Sequence, residues 1–467
     1  MRRKEPRELS LYIVGRVLDE GAFSNIETTK VLKRYEYSDL DKRFILEIAY
    51  GTIKHLNTLD WVLSNFVSRP LEKLDRLCRN ILRIGAFQLL YMDRVPPSAA
   101  CNESVNLAAK HRHGGIVKFV NAVLRNIARN YNSIEDVEFP DKDKDPIEHI
   151  SIKYSHPPWL VSRWVGRYGV KETIRLCKFN NKPSKNTIRV NTNKTSVEDF
   201  QHLLESRGIT SNLSKVVPGC LIVKNYGLLE SQKDLRKLFI PQSEPSILVG
   251  HIADPKRNAK VLDACAAPGL KATHLAQLVG RRGRVAALDI HEHRIRLINE
   301  NSKRLSLDNI ETYLLDARDA CKEIKESFDL VLVDAPCSGT GVLNRRADAR
   351  WRKKEKEIAA LSKLQKEILK SVIPLTRPGG NVVYSTCSLE PEENQEVIDQ
   401  IIGENRDLEP VPLDKYFSPC EYPIKTGDGV QFLPQNNCTE GFYIAKLVKI
   451  KGTQNNRNKN VKAVESK

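Results

Sequence analysis

Apolar residues change their spacing along this chain, and the changes divide it into regions. Up to about residue 130 they recur at steps of three and four. Leu74, Leu77, Ile81 and Ile84 form one row, and Phe44, Ile45, Ile48 and Ala49 another. That stripe is how a helix faces a core, so this region is expected to be all helical. Pro96-Pro97 interrupts it, and Ser98 is placed to cap the next helix, which carries Asn102, Glu103 and Val105. A later helix carries Phe119, Val120, Val123 and Leu124. The polar, acidic stretch EDVEFPDKDKDP, Glu135 to Pro146, then reads as a linker.

Residues 147 to 235 mix the two periods. His156 to Gly169 is helical in spacing, Asn186 to Ser196 reads as a strand and turn, and Ser196 with Asp199 opens a helix that Gly208 closes. From about Leu235, short apolar runs alternate with amphipathic stretches, the signature of a doubly wound, mostly parallel α/β sheet. Strands are expected at Val261–Asp263, Arg284–Asp289, Ile310–Leu315, Leu330–Asp334 and Asn381–Ser385. Helices are expected at Lys271–Val279, Glu292–Leu305, Lys353–Val372 and Pro391–Ile402, and a closing antiparallel pair at Val430–Leu433 and Phe442–Val448. The expected organisation is therefore multidomain: a helical domain over residues 1–134, a small α/β module over 147–235, and an α/β domain over 236–450. A tail over 451–467, with five basic residues and one acidic, reads as disordered.

Composition narrows the class. A chain of 467 residues suits about three domains. Lysine and arginine total 75 against 58 acids, a net charge of +17, which points to a polyanionic partner, most simply nucleic acid. Lys110, Arg112, Lys118, Arg125 and Arg129 stud the helical end. Arg189 and Asn191 suit either RNA contact or a strand-edge structural role. The ten cysteines form no CxxC pair and no ladder of short spacings. Neither a metal site nor a disulfide framework is expected, and a reducing cytoplasm suits them. No run of 18 apolar residues occurs, and no apolar core follows the basic Met1-Arg2-Arg3-Lys4. A soluble, cytoplasmic, monomeric protein without membrane or metal is expected.

The candidate chemistry lies at strand ends. In VLVDAPCSGTG, Val331 to Gly341, a buried strand stops at Asp334 and a stiff turn presents Cys337. GNVVYSTCSLEPEEN, Gly380 to Asn394, repeats the arrangement with Cys387. In an open α/β sheet the carboxyl ends of strands are where ligands sit, so two thiols and one carboxylate are expected to face one pocket. Upstream, ACAAPGLKATHLAQL supplies small residues and then a helix N-terminus, a nucleotide-type cradle without the G-x-G-x-x-G spacing of a dinucleotide site. Asp289, Asp316 and Asp334 end successive strands, and such a ring of carboxylates suits a cationic cofactor such as S-adenosylmethionine better than a pyrophosphate.

Two resemblances follow from these blocks. DKRFILEIAYGTIKHLNTLDWVL, NILRIGAFQLLYMDRVPPSAACNESVNLA and FVNAVLRNIAR are similar to a NusB-type RNA-binding helical domain. VLDACAAPGLKATHLAQL, FDLVLVDAPCSGTGVLNRRADARWR and GGNVVYSTCSLEPEENQEVI resemble the S-adenosylmethionine-dependent RNA cytosine-C5 methyltransferases, and with the helical front end the chain resembles the RsmB (Fmu or Sun) type acting on 16S rRNA. The resemblance implies an all-α NusB-like domain, a small α/β RNA-binding module and a Rossmann-like class I methyltransferase domain. It also implies that Cys265, Ala266, Ala267, Pro268, Gly269, Leu270, Lys271, Asp289, Asp316 and Asp334 bind S-adenosylmethionine and that 16S rRNA is the partner. Spacing leaves open which thiol attacks; by the resemblance Cys387 is the nucleophile. Cys337 then assists release, with Asp334 and Lys271 assisting at the base.

The family usually has glycine where this chain has Leu270, and it has a proline within the segment that here runs Arg345-Arg346-Ala347-Asp348-Ala349-Arg350-Trp351. That segment is expected near the substrate. The same chemistry on tRNA, and a non-catalytic RNA-binding or antitermination factor, are the alternatives; the intact Asp334, Cys337 and Cys387 speak against the second.

Overall fold

The computed structural model describes residues 5–111, 114–417, 423–437 and 439–450. Met1 to Lys4, Arg112 and the tail from Lys451 lie outside the described residues. Contacts divide the chain into two units: residues 1–183 with 343–355, and residues 184–342 with 356–467. The expected 147–235 stretch is thus shared, its first helices belonging to the first unit.

The first unit is helical. Its principal helices are Pro6–Leu18, Ser24–Arg34, Asp39–Lys54, Leu56–Ser64, Arg76–Tyr91, Pro97–His111, Gly114–Asn130, Pro146–Lys153 and Pro158–Asn181, the last bent at Gly169, whose φ is 76°. Ile45, Ile48, Ile81, Ile84, Val120 and Leu124 are all buried in one core, as the three-and-four spacing requires. Two local expectations change. The helix after Pro96 starts at Pro97, so Ser98 lies inside it; proline at the first position has no N–H to leave unpaired, and no side-chain cap is needed there. The acidic stretch is not a free linker. Val137 is buried, Phe139 packs on the helical core, and Trp61 donates its indole N–H to the Glu138 carbonyl. Two apolar side chains are enough to fasten a segment whose composition is otherwise that of a linker.

Residues 343–355 also fold into this unit, so the Arg345–Trp351 segment packs with the helical domain. Ala347 is buried in the helical core and Trp351 packs on it, with its indole N–H donated to the Ile53 carbonyl at 2.7 Å. Ser24 donates to Asp348 at 2.5 Å. Arg350 is 1% exposed. Its guanidinium donates to the Ser155 carbonyl at 2.8 Å, to Asn181 Oδ1 at 2.9 Å and to the carbonyls of Asn180 and Lys54 at 3.3 and 3.4 Å. Two of these acceptors, the carbonyls of Lys54 and Asn180, lie in the last turns of helices, whose negative dipole ends stabilise a cation in place of a carboxylate. Burial still lowers its pKa to about 10.

The second unit holds two sheets. In the smaller, β1 (Thr187–Val190), β2 (Ser211–Leu213), β3 (Cys220–Val223) and β4 (Phe239–Pro241) lie antiparallel in the order β2-β3-β1-β4. The helix Val197–Ser206 packs there, capped by Ser196 accepting from the Asp199 N–H, and Gly208 follows it at φ 70°. Arg189 and Asn191 are buried rather than available to RNA. Arg189 donates to Gln242 and Thr273, and Asn191 donates to the carbonyls of Lys237 and Leu305 while accepting from Gln277. Both side chains stitch the small sheet to the larger half of the same unit.

The larger sheet is built from β5 (Lys260–Asp263), β6 (Arg284–Asp289), β7 (Ile310–Leu314), β8 (Phe328–Asp334), β9 (Thr376–Thr386), β10 (Leu408–Pro410), β11 (Ile424–Thr426), β12 (Gly429–Phe432) and β13 (Phe442–Lys449). Its order is β11-β12-β13-β9-β8-β5-β6-β7, with β10 on β13. The pairs among β5 to β9 are parallel and those of β10 to β13 antiparallel. Alternation decides the two faces. Val261, Val285, Ala287, Leu330, Leu332 and Val383 enter one core with the helices Glu244–Ala253 and Leu270–Val279. Leu262, Ala286, Leu288, Val331, Val333 and Val382 enter the other with Lys356–Val372 and Gln395–Glu404. Both faces are covered, which is why these strands read as continuous apolar runs. Among the described residues no helix is long and apolar enough to cross a membrane.

Arg350→Ala should leave four acceptors without their donor and a void between helix ends. The helical unit is expected to lose on the order of 3 kcal/mol, read as a lower urea midpoint for the loss of its helical signal, with the sheet unit's transition unmoved. An unchanged midpoint would show that Arg350 contributes nothing net.

Candidate active site

From β5 the chain runs out to β7 on one side and then returns to place β8 on the other side of β5. That reversal of winding opens a crevice at the carboxyl ends of β5 and β8, where Asp263 and Asp334 stand. The loop after β5 is held between the neighbouring strands by hydrogen bonds from the Ala264 N–H to the Leu332 carbonyl of β8 and from the Ala266 N–H to the Leu288 carbonyl of β6, each 2.9 Å. Gly269 then turns the chain into the helix Leu270–Val279 at φ 95°. A Cβ there would lie in a strained conformation 3.1 Å from the Ile298 Cα. The resulting cavity is lined by Ser246, Asp263, Cys265, Ala266, Ala267, Pro268, Leu270, Lys271 and Asp334. The sequence-predicted cradle is thus assembled, and the Leu270 side chain is part of its wall.

Lys271 projects from the first turn of that helix. Its Nζ lies 2.7 Å from Asp334 Oδ2 and 5.2 Å from the Phe442 ring centre. Ser385 donates to the other oxygen of Asp334 at 2.8 Å. Asp334 therefore accepts from two donors, as a carboxylate does. Asp263 is different: it is fully buried and neither oxygen has a hydrogen-bond partner. Burial, and next the charge of Asp334, push its carboxyl up to about 7, against the opposing pull of Lys271. Cys265 is raised by burial and by the same carboxylates, so it is held as a thiol. Asp289 accepts from the His291 N–H and faces Arg294 at 3.3 Å, and Asp316 is lowered by its hydrogen bonds and ion pair with Arg318. Asp289 ends β6 and Asp316 lies two residues past β7, and neither lines the cavity.

The thiols come from β8 and β9, whose parallel register sets Asp334 beside Ser385. The Ala335 N–H donates to the Ser385 carbonyl at 2.9 Å, and farther along the Gly341 N–H donates to the Cys387 carbonyl at 2.9 Å. Gly341 is required there, because a Cβ would fall 2.2 Å from the Gly441 carbonyl oxygen. The two sulfurs lie 3.2 Å apart. The Cys337 thiol is pushed well above its ordinary range, first by its hydrogen bond to Cys387 and then by burial. Within the pair, Cys337 is thus the thiol held protonated.

Two residues of this site escape a reading of sequence. Asp263 ends its strand just as Asp289 and Asp334 do, and that shared position was the available signal. Glu393 had none beyond its place in the Pro391-Glu392-Glu393-Asn394 run. It is buried with four hydrogen bonds converging on its carboxylate.

Comparison with known proteins agrees with this geometry. A family model described as 16S rRNA methyltransferase RsmB/F matches residues 251–448, a NusB family model matches residues 4–129, and a RsmF/B-like ferredoxin-like domain model matches residues 156–228. The "Probable ribosomal RNA small subunit methyltransferase B" of Bacillus subtilis (strain 168) is 36% identical over 456 residues, covering 96% of this chain and 100% of the relative. Among solved structures, that of PH0851 superposes with a TM-score of 0.79 at 28% identity, covering 96% of this chain and 100% of its own. A methyltransferase homolog protein from Pyrococcus horikoshii gives 0.58 at 29% identity, covering 66% of this chain and 99% of its own. With the matched models following one another in the order of its regions, and a relative alike over nearly all of both lengths, this chain belongs to the 16S rRNA methyltransferase RsmB/F family.

Proposed function

We propose that the protein transfers a methyl group from S-adenosylmethionine to C5 of a cytosine in 16S rRNA, through a transient bond between Cys387 and C6 of the base. The observation that carries this reading is the pair of sulfurs 3.2 Å apart, on the loops that leave the strand ends where Ser385 donates to Asp334 and Asp334 pairs with Lys271 in the wall of the cradle. The relative's name, a small-subunit rRNA methyltransferase, supports the substrate class.

The cradle fits a cationic cofactor. Asp263 is a buried carboxyl with both oxygens unpartnered, a group that a cation satisfies. Cys265 to Lys271, with Asp263, Asp289, Asp316 and Asp334, would hold it, Asp289 at the ribose hydroxyls. When bound, S-adenosylmethionine supplies an electrophilic methyl group on a sulfonium.

Cytosine C5 is too weak a nucleophile to take a methyl group unaided. A thiolate added to C6 turns the ring into an enamine whose C5 is nucleophilic. Cys387 forms that bond while Cys337 keeps the proton of the pair. Lys271 is the proton-bearing member of its ion pair, oriented by Asp334, and it assists at N3 as C6 is attacked. After methylation the Cys337 sulfur, its own proton passed to solvent, takes the C5 proton, and the C6–S bond breaks to return the thiolate on Cys387. The base must be unstacked to reach both groups, which favours a loop or an opened helix of the RNA.

The two thiols should fail differently when removed. Cys387→Ala should bind the cofactor but form no covalent bond to RNA and no methylated product. Cys337→Ala should attack and then stall, building a protein–RNA adduct that survives denaturing electrophoresis and thiol reductant, because the bond is a thioether. The double mutant should give none. An adduct with Cys387→Ala instead would exchange the two roles.

Asp263 predicts a pH dependence. A carboxyl near 7 in the folded state and near 3.8 in the unfolded state binds its proton more tightly when folded. Its stabilising contribution is whole below about pH 4 and is lost as pH rises to about 7, on the order of 4 kcal/mol at most. Asp263→Asn should flatten that part of the stability profile. Calorimetry with S-adenosylmethionine near pH 7, in buffers of different ionisation heat, should show proton release in the native protein and none in the variant. Equal release in both would remove Asp263 from the cofactor's contacts.

A further inference from the structure

Strand pairing between β8 and β9 reaches Asp334 and Ser385 and goes no farther. Beyond it run two loops, residues 335–342 and 387–394, each carrying one thiol. Neutral hydrogen bonds cross between them, from the Gly341 N–H to the Cys387 carbonyl and from the Leu389 N–H to Thr340 Oγ1. One charged group crosses as well. Glu393 stands on the Cys387 loop with a relative exposure of 0%. One of its oxygens accepts from the Ser338 N–H at 2.8 Å and from Gln365 Nε2 at 3.1 Å. The other accepts from Ser388 Oγ at 2.5 Å and from Ser338 Oγ.

Ser338 directly follows Cys337, and Ser388 directly follows Cys387. The carboxylate therefore grips the chain neighbour of each thiol. Gln365 also donates to the Pro336 carbonyl at 3.0 Å, on the other side of Cys337. A carboxylate this deep is tolerated only where donors replace its water, and here all four lie on or beside the two thiol loops.

We propose that Glu393 is a positioning residue for the reaction: its carboxylate holds the Cys337 and Cys387 loops in the register that keeps the two sulfurs within hydrogen-bond reach. Charge-assisted hydrogen bonds are roughly twice as strong as neutral ones, and the two oxygens fix both loops at once. Glutamine keeps one acceptor oxygen but turns an NH2 group towards two hydroxyls, so it replaces part of the clamp. Alanine replaces none. This inference rests on the proposed roles of Cys387 and Cys337.

Glu393→Gln and Glu393→Ala are the test, measured for methyl transfer to a 16S rRNA fragment, for cofactor affinity and for the denaturation-resistant adduct. Alanine should lower kcat about 100-fold, the scale of a reacting group displaced by about an ångström, and glutamine less. KM for RNA and the affinity for S-adenosylmethionine should stay at native values. Adduct should accumulate as in Cys337→Ala, because attack survives better than assisted release. Should the Glu393 variants not fold, Ser338→Ala removes one of the four donors and should show the same pattern on a smaller scale. Native kcat in folded Glu393→Ala, or in Ser338→Ala, would overturn the inference. So would a loss of cofactor affinity in step with kcat, which marks a general packing role. If Cys387→Ala itself turns over, the proposed chemistry fails first; if Cys387→Ala is dead and the Glu393 variants are native, only the clamp fails.

Discussion

The parallel pairing of β8 with β9 is the constraint on which the site depends. Its register puts Asp334 beside Ser385, so both loops leave the sheet at adjacent strand ends and the two sulfurs arrive 3.2 Å apart. A slip by one residue would send each side chain of β9 to the opposite face. Val382 and Tyr384 are buried in one layer and Val383 in the other, so such a slip cannot occur without exchanging the contents of two cores. The chemistry is thereby pinned by packing that takes no part in it. Tyr384 adds a direct link, donating its hydroxyl to the Glu393 carbonyl at 2.6 Å.

Around this pairing, each acid is made different by its partners. Asp334 is held by an ammonium and a hydroxyl, Asp289 and Asp316 by arginines, and Glu393 by two serines and a glutamine. Asp263 alone among these five is buried without a hydrogen-bond partner, and it is the one whose carboxyl stays protonated up to about pH 7. Titratable groups of one chemical type thus acquire separate tasks through burial and neighbours. The thiols follow the same rule. Cys265 is held protonated by burial and neighbouring carboxylates, Cys337 by its hydrogen bond to Cys387 and by burial.

The chain leaves the methyltransferase unit immediately after the Cys337 loop, at Val342, and returns at Lys356. The thirteen residues between belong to the helical unit, where Arg350 is satisfied by carbonyl and amide oxygens, two of them in last turns of helices, instead of by an acid. Within this stretch Ala347, Asp348 and Arg350 are buried, while Arg345 and Arg346 are exposed. Charge alone does not reveal this, since an arginine surrounded by dipoles needs no acidic partner that a sequence could display.

Several features followed from sequence because they are local. The five parallel strands, the helices after β5 and β6 and the closing antiparallel pair follow from periodicity, which depends only on which faces are covered. The cradle follows from small residues before a helix start, and Cys337 and Cys387 from thiols placed just past strand ends. What tertiary structure alone decided is who meets whom. Arg189 and Asn191 became internal stitches, the acidic stretch after residue 134 was fastened by Val137 and Phe139, and Ala347 and Trp351 were taken into a core more than 200 residues away in sequence. Asp263 and Glu393 owe their character to burial among distant groups, and no spacing along the chain records how much water a carboxylate has lost.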